Sequence, residues 1–394
     1  MIIFLKRAGL FGCLLAAALS VGCADRKSPQ TTAENGQMEE DTKEEQENTG
    51  GKVYFLSRHP ELQKQWDGLA AAFEQETGIS VKITTVEEDS YDAVLDAAMQ
   101  DREIPTMFEV HTLEELEKWS GFCLNLKESS LYSEIAEDSS RFARNGDEMA
   151  GIGYLEGDSG ILYNKKLLSE YCALDGSMIA SADEITNFVV LKAVVEDIQN
   201  RKDELGIEGA FASQSMEEML ADMSGLLKNG ADLACLESFF DLYVSHCVSR
   251  EEEIGTKTGK DGAVEFALGE AVFYYGGTWS YETIGGNEVV DGDFGILPVY
   301  IGLEGEQNQG LCRRYRSYFC INKSASKEDE DAALLFLKWL YGEKKEDLAA
   351  LETVEWSPVT DAAEVFREKQ AVFWKMMDLE DLPLIREYAQ DLAP

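Results

Sequence analysis

Trp279 stands directly after Gly276-Gly277-Thr278, at the end of the short apolar run 271–275, where an indole can present a flat face to a ring-shaped solute. An indole offers a broad apolar face at low conformational cost and keeps its N–H free to donate. The other reading is a core tryptophan that pins down the helix continuing through Tyr281 and Ile284. Glu156 and Asp158 could accept paired hydrogen bonds from hydroxyl groups, although in a chain with 75 acidic side chains ordinary solvated acidity accounts for them equally well. Arg313, Arg314 and Arg316 form a basic cluster. They either neutralise nearby carboxylates or hold an anionic solute through guanidinium forks, and alternation along a strand aims Arg314 and Arg316 the same way.

Catalytic patterns are absent by contrast. The sequence has no Gly-x-Ser-x-Gly elbow, no His-Glu-x-x-His helix and no phosphate-cradling loop. A two-carboxylate glycosidase needs no such motif and stands as the enzymatic alternative. His59, His111 and His246 share no zinc-type spacing with the cysteines, so no metal and no other cofactor is expected. Beyond Cys13 and Cys23 there are six cysteines, Cys123, Cys172, Cys235, Cys247, Cys312 and Cys320, which allow fifteen pairings. Cys235 and Cys247 fall on one expected helix, about 18 Å apart, well beyond the roughly 4–7 Å a disulfide spans between Cα atoms. The six read mainly as small buried hydrophobes.

Strands and helices alternate around these residues. An apolar strand begins at Val53, Pro60 opens a helix whose apolar stripe is Leu62, Trp66, Leu69 and Phe73, and Gly78 closes it. Ile79, Val81 and Ile83 alternate as a second strand, Tyr91, Val94, Leu95 and Ala98 form a second stripe, and Thr106 to Val110 is a third strand. Further strands are expected at Gly160–Tyr163 and Ala271–Tyr275, and helices over Asp183–Lys202, Ser215–Val248, Glu328–Leu340 and Asp361–Met377. This order predicts an α/β fold with a largely parallel sheet. Ligands in such sheets sit beyond the carboxyl ends of strands, which directs attention to Arg58 and His59, to Glu88 and Tyr91, and to His111, each just after a strand.

The first 51 residues are of another kind. Lys6 and Arg7, the apolar run Ala8–Val21 and Gly22 before Cys23 make a secretory leader. It resembles a bacterial lipoprotein signal, in which the cysteine is diacylated and becomes the mature N-terminus; Ser20 occupies the position where such signals usually carry Leu. A conventionally cleaved leader with an incidental cysteine is the alternative. On the first reading residues 1–22 are removed, 23–51 form a flexible acidic tether almost without large apolar side chains, and two acyl chains hold Cys23 to the membrane. Removing Lys6 and Arg7 leaves 33 basic against 75 acidic side chains, a formal −42. Such a surface repels phosphate backbones, so nucleic acid is not an expected partner.

From Lys52 onward the landmarks resemble the extracellular solute-binding proteins of bacterial ABC sugar importers, in their maltodextrin and oligosaccharide-binding class. The resemblance rests on Phe73-Glu74-Gln75-Glu76-Thr77-Gly78-Ile79, Ser159-Gly160-Ile161-Leu162-Tyr163-Asn164-Lys165-Lys166, Gly269–Trp279, Phe294-Gly295-Ile296-Leu297-Pro298, Tyr318–Lys323 and the helix through Leu335–Leu340, in that order. It implies a two-lobed periplasmic-binding-protein type II fold, lobe I being 52–157 with 312–345 and lobe II 158–311 with 346–394, and a ligand cleft between them. It also implies a monomer, not an enzyme, that captures a carbohydrate and delivers it to ABC permease transmembrane subunits on the outer side of the membrane. Gly277, Thr278, Trp279, Tyr281, Arg58, His59, Glu88, Tyr91, His111, Glu156, Asp158, Arg314 and Trp356 fall in segments where that family contacts ligand. Hinge closure would flex near Glu156–Gly160 and Leu311–Tyr318. A ligand sensor or adhesion lipoprotein on the same fold is the non-transport alternative.

Overall fold

Strand β1 (Lys52–Ser57) buries Val53, Phe55 and Leu56 and pairs in parallel with β2 (Ser80–Thr85) and β3 (Met107–Val110). Between β1 and β2, helix α1 (Gln63–Thr77) follows a 3₁₀ turn that begins at Pro60. Its buried stripe of Trp66, Leu69, Ala70 and Phe73 has the helical period expected of one face on a sheet. The stop is equally local: Gly78 takes φ 73° and its N–H reaches the Glu74 carbonyl at 2.9 Å, a left-handed cap that glycine adopts without Cβ strain. Phe73 meets the later helix Lys327–Tyr341, edge-on to Phe336 at 5.0 Å. Helix α2 (Glu88–Ala98) buries Tyr91 and Leu95, whereas Val94, expected in the same stripe, is 37% exposed and lies off the buried face.

The computed structural model describes residues 50–135, 139–216, 219–220, 222–223, 233–280, 284, 293–351, 374–375 and 377–392. Cys23, Tyr281, Trp356 and most of the helix expected over 361–377 lie outside them.

Ten strands among the described residues form one sheet of order β2-β1-β3-β9-β5-β7-β6, with β4 and β8 also on β5 and β10 on β9. Here β4 is Phe142–Asn145, β5 Glu148–Asn164, β6 Gly209–Phe211, β7 Ala271–Gly277, β8 Phe294–Leu297, β9 Cys312–Ile321 and β10 Trp374–Lys375. The sheet is mixed rather than largely parallel. β9 arrives from late in the chain and lies antiparallel between β3 and β5, and β5 is antiparallel to β4, β7, β8 and β9. Alternating strands and helices predict parallel neighbours only where consecutive strands pair, and β9 joins strands more than a hundred residues earlier. Trp374–Lys375, expected as helix, is instead a strand parallel to β9.

β5 is the spine. The expected strand at Gly160–Tyr163 is only the end of a 17-residue run, about 55 Å long when extended. Its first part pairs with β9, from Ile152↔Phe319 to Ser159↔Cys312, and its last part with β7 and β8. The two stretches expected to act as crossings are therefore hydrogen-bonded to each other, and their register slips between Gly153 and Leu155 and again before Glu156. Such irregularities bend and twist a ladder locally.

At the far end of that pairing Gly160 admits no side chain, because a Cβ there would overlap the Leu297 carbonyl oxygen of β8. Gly160→Ala is expected to destabilise the fold by about 1–3 kcal/mol through forced backbone movement, read as a lower urea midpoint at unchanged slope. All six cysteines after Cys23 are free thiols, four of them buried. Among the described residues no helix is long and apolar enough to cross a membrane.

Candidate functional site

Arg58, the first residue after β1, is the hub of a buried ion-pair network at the carboxyl ends of β1 and β3. Its side chain is 2% exposed. Nη1 donates to Glu88 Oε1 at 2.8 Å and to Glu115 Oε1 at 2.9 Å, Nη2 donates to Glu115 Oε2 at 2.8 Å, and the guanidinium lies 4.2 Å over the Tyr91 ring. Burial works against this charge, but Glu115 and Glu88 outweigh it and hold the pKa above its usual range. Glu115 sits in α3 (Leu113–Trp119), where its N–H bonds to the Thr112 cap and its carboxylate also accepts from the His111 N–H at 2.7 Å. The cap thus aims the carboxylate.

Glu109, in β3, is fully buried and is held on several sides. It accepts from Ser57 Oγ at 3.0 Å, from the Arg58 N–H at 2.9 Å and from the Tyr154 hydroxyl. Tyr91, 1% exposed, donates to the Leu56 carbonyl and accepts from the Glu109 N–H. Its hydroxyl is fully engaged. Burial raises the pKa of Tyr91 and Tyr154 well above the ordinary range, so both stay protonated as donors.

Two histidines flank that carboxylate. His59 is 5% exposed and donates from Nδ1 to Glu61 Oε1 at 2.8 Å, while the His111 ring lies 5.4 Å away with its Nδ1 3.6 Å from Glu88. Burial, with Arg58 and His59 beside it, keeps His111 well below its usual pKa, so this ring is neutral. Against its own burial, the bond from His59 and the nearby charge of Arg316 hold Glu61 below the usual carboxylate range.

Arg316 belongs to a second group, built on β5, β7 and β9. Trp279 lies in a 3₁₀ turn (Thr278–Ser280) after β7 and is half-buried. Its six-membered ring occupies the space that Cβ atoms on Gly157 and Gly277 would fill. The guanidinium groups of Arg314 and Arg316 stand 4.8 and 5.1 Å from the ring centroid, the same-side placement that alternation predicts. Arg314 also binds Asp222 at 2.7 Å, and Arg313 binds Asp158 at 2.9 Å and Glu156 at 3.6 Å. Arg313 and Arg314 are thus paired with carboxylates. The Asp158 N–H donates to Thr278 Oγ1 at 3.3 Å and ties the β5 crossing to the tryptophan turn.

The fold therefore gathers Arg58, His59, Glu88, Tyr91 and His111 in one group and Glu156, Asp158, Gly277, Thr278, Trp279 and Arg314 in another, with Arg316 acting on both His111 and Glu61. Sequence reading missed Glu109, Glu115, Tyr154 and Asp222. A glutamate inside the apolar strand Met107-Phe108-Glu109-Val110 was the available signal. A separate depression of about 470 Å³, lined by Tyr163, Lys165, Leu168, Cys172, Ala180 and Asp183, contains none of these residues.

A model of the family described as bacterial extracellular solute-binding protein matches residues 68–375. The chain belongs to that family. A comparison with curated protein sequences found no match. Among solved structures this solute-binding protein is similar to maltose-bound MalE3 of T. maritima, at 19% identity and TM-score 0.59 over 87% of this chain and 93% of that one. It is also similar to the GacH receptor of Streptomyces glaucescens, solved unliganded and with acarbose, at 16% identity and TM-score 0.58 over 87% and 92%. A chitin oligosaccharide binding protein matches at 17% identity and TM-score 0.58 over 87% and 94%. The likeness is one of fold. It bears out the two-lobed α/β architecture, and the family model bears out the family read from the sequence.

Proposed function

We propose that this solute-binding protein captures a carbohydrate, most simply an oligosaccharide, and passes it to the transmembrane subunits of an ABC permease. The observation that carries the reading is Trp279, a half-buried indole laid over two glycines beside the acidic crossing Glu156–Asp158. An aromatic face next to carboxylates suits a sugar ring, which offers apolar C–H groups on its faces and hydroxyl donors around its edge. The named ligands of the similar structures, maltose, acarbose and chitin oligosaccharide, belong to the same chemical class. Lobe I would be 52–157 with 312–345 and lobe II 158–311 with 346–394, hinged where β5 and β9 pair with slipped register. Acyl chains on Cys23 would hold the monomer to the outer side of the membrane, with 23–51 as its tether.

Thermal unfolding against a glycan panel tests the reading, because a ligand that binds only the native state raises stability by about 2.7 kcal/mol at a hundred times its Kd. Neutral oligosaccharides are expected to raise Tm at least as well as uronic ones, since Arg313 and Arg314 are already paired with carboxylates. Scattering with the best ligand should give a smaller radius of gyration, since differential affinity for the closed form drives closure. An unchanged radius at saturation would remove hinge bending. Cleavage of the glycan would replace binding with hydrolysis.

A further inference from the structure

We propose that His59, Glu109 and His111 form a binding site for a divalent transition-metal ion of the zinc class. One potential ligand atom from each lies within 4.8 Å of the other two, and His59 Nε2 is 3.9 Å from Glu109 Oε2. Donors about 2.0–2.2 Å from a shared tetrahedral ion stand roughly 3.4 Å apart, so side-chain shifts of about an ångström would close the group on it. Glu109 in β3 and His111 just after it are two residues apart, and only His59 comes from elsewhere in the chain. The parallel pairing of β1 with β3 brings them together.

The hydrogen bonds around the group have the polarity a metal site requires. A carboxylate can only accept, so the bond to Glu61 fixes the His59 proton on Nδ1 and leaves a lone pair on Nε2. That Nε2 is buried and has no hydrogen-bond partner. His111 is placed similarly, with Nδ1 3.6 Å from Glu88, just beyond hydrogen-bond reach, and a buried Nε2 that also lacks a partner. Buried polar atoms are nearly always satisfied, so two unsatisfied ring nitrogens beside one buried carboxylate call for a shared partner. Carboxylates on the far nitrogens are the usual outer shell of a metal-binding histidine. Glu109 is itself fixed by Ser57, Arg58 and Tyr154, so its oxygens do not need to be ordered on binding.

Charge and softness select the ion. Three carboxylates, Glu88, Glu109 and Glu115, surround the guanidinium of Arg58 and a fourth, Glu61, binds His59, so a dication reduces the local excess. Arg316 lies close enough to act on Glu61 and His111, and Arg314 is paired with Asp222. Two imidazoles with one carboxylate favour Zn²⁺, Co²⁺ or Ni²⁺ over Ca²⁺ and Mg²⁺, which prefer all-oxygen shells. Three protein ligands leave a fourth position for water or solute.

The test does not depend on the carbohydrate reading and uses the mature chain after chelator treatment. Titration with zinc chloride should show one equivalent bound with a raised Tm, whereas magnesium and calcium chloride at the same concentration leave Tm unchanged. Cobalt chloride should give visible d–d bands without the sulfur charge-transfer absorption that ligation by the free cysteines would add. His59→Gln and His111→Gln should abolish stoichiometric binding, and Glu61→Gln should weaken it by about 10–100-fold through loss of the outer-shell bond. Circular dichroism on the same samples confirms that each variant is folded; if His59→Gln does not fold, Glu61→Gln carries the test. No zinc-dependent shift in the parent protein, equal binding by the folded histidine variants, or a thiolate spectrum with cobalt would each overturn the assignment.

Discussion

Replacing Trp279 with alanine is expected to weaken binding of the captured glycan by roughly tenfold or more, because an aromatic platform contributes on the order of 1–2 kcal/mol and 1.4 kcal/mol is a factor of ten. Tm should hardly move. The indole is only half-buried and rests on backbone at Gly157 and Gly277 rather than among core side chains. Gly277→Ala gives an independent reading of the same surface, since its new Cβ occupies the ring position and must push the indole off its bed. Calorimetry with the glycan found by thermal screening should show both variants losing affinity. If Trp279→Ala lost most of its stability and kept its affinity, the tryptophan would belong to the core and the platform would lie elsewhere.

Arg58→Met is expected to destabilise the native state by about 3–5 kcal/mol, the cost typical of removing one partner from a buried ion-pair network. Size is not the reason. Methionine fills much of the same space, but Glu109 and Glu115, fully and largely buried, lose the cation between them. Chemical denaturation at neutral pH should show the lower midpoint, and a loss below about 1 kcal/mol would mean that the remaining donors to Glu109, from Ser57, Tyr154 and the backbone N–H of residue 58, satisfy it without the guanidinium. The variant also separates structure from binding. Arg58 touches its own network rather than a solvent-facing surface, so any loss of glycan affinity should scale with the fraction unfolded.

Much of lobe-forming structure was legible because its causes are local. Pro60, the stripe through Trp66 and Phe73 and the left-handed Gly78 act within a few residues of one another, and the same holds for the Ser326 cap and the helix that follows it. The order of such segments was enough to identify the family. Trp279 was also visible in sequence, since the glycines that make room for it include its near neighbour Gly277.

What the sequence by itself determined, then, was the alternation of elements, their caps and the family they compose. Tertiary structure alone decided the mixed sheet, in which β9 enters antiparallel between β3 and β5, and the pairing of the two expected crossings. It alone decided that Arg58 and Tyr91 are held in a buried network, that Asp222 answers Arg314, and that His59 and His111 converge on Glu109. The physical reason is distance along the chain. Periodicity and capping are set by neighbours a few residues away, whereas strand order depends on distant segments and the carboxylate partners of Arg58 and Arg313 stand 30 to 155 residues away, so their encounter depends on how the whole apolar surface is buried.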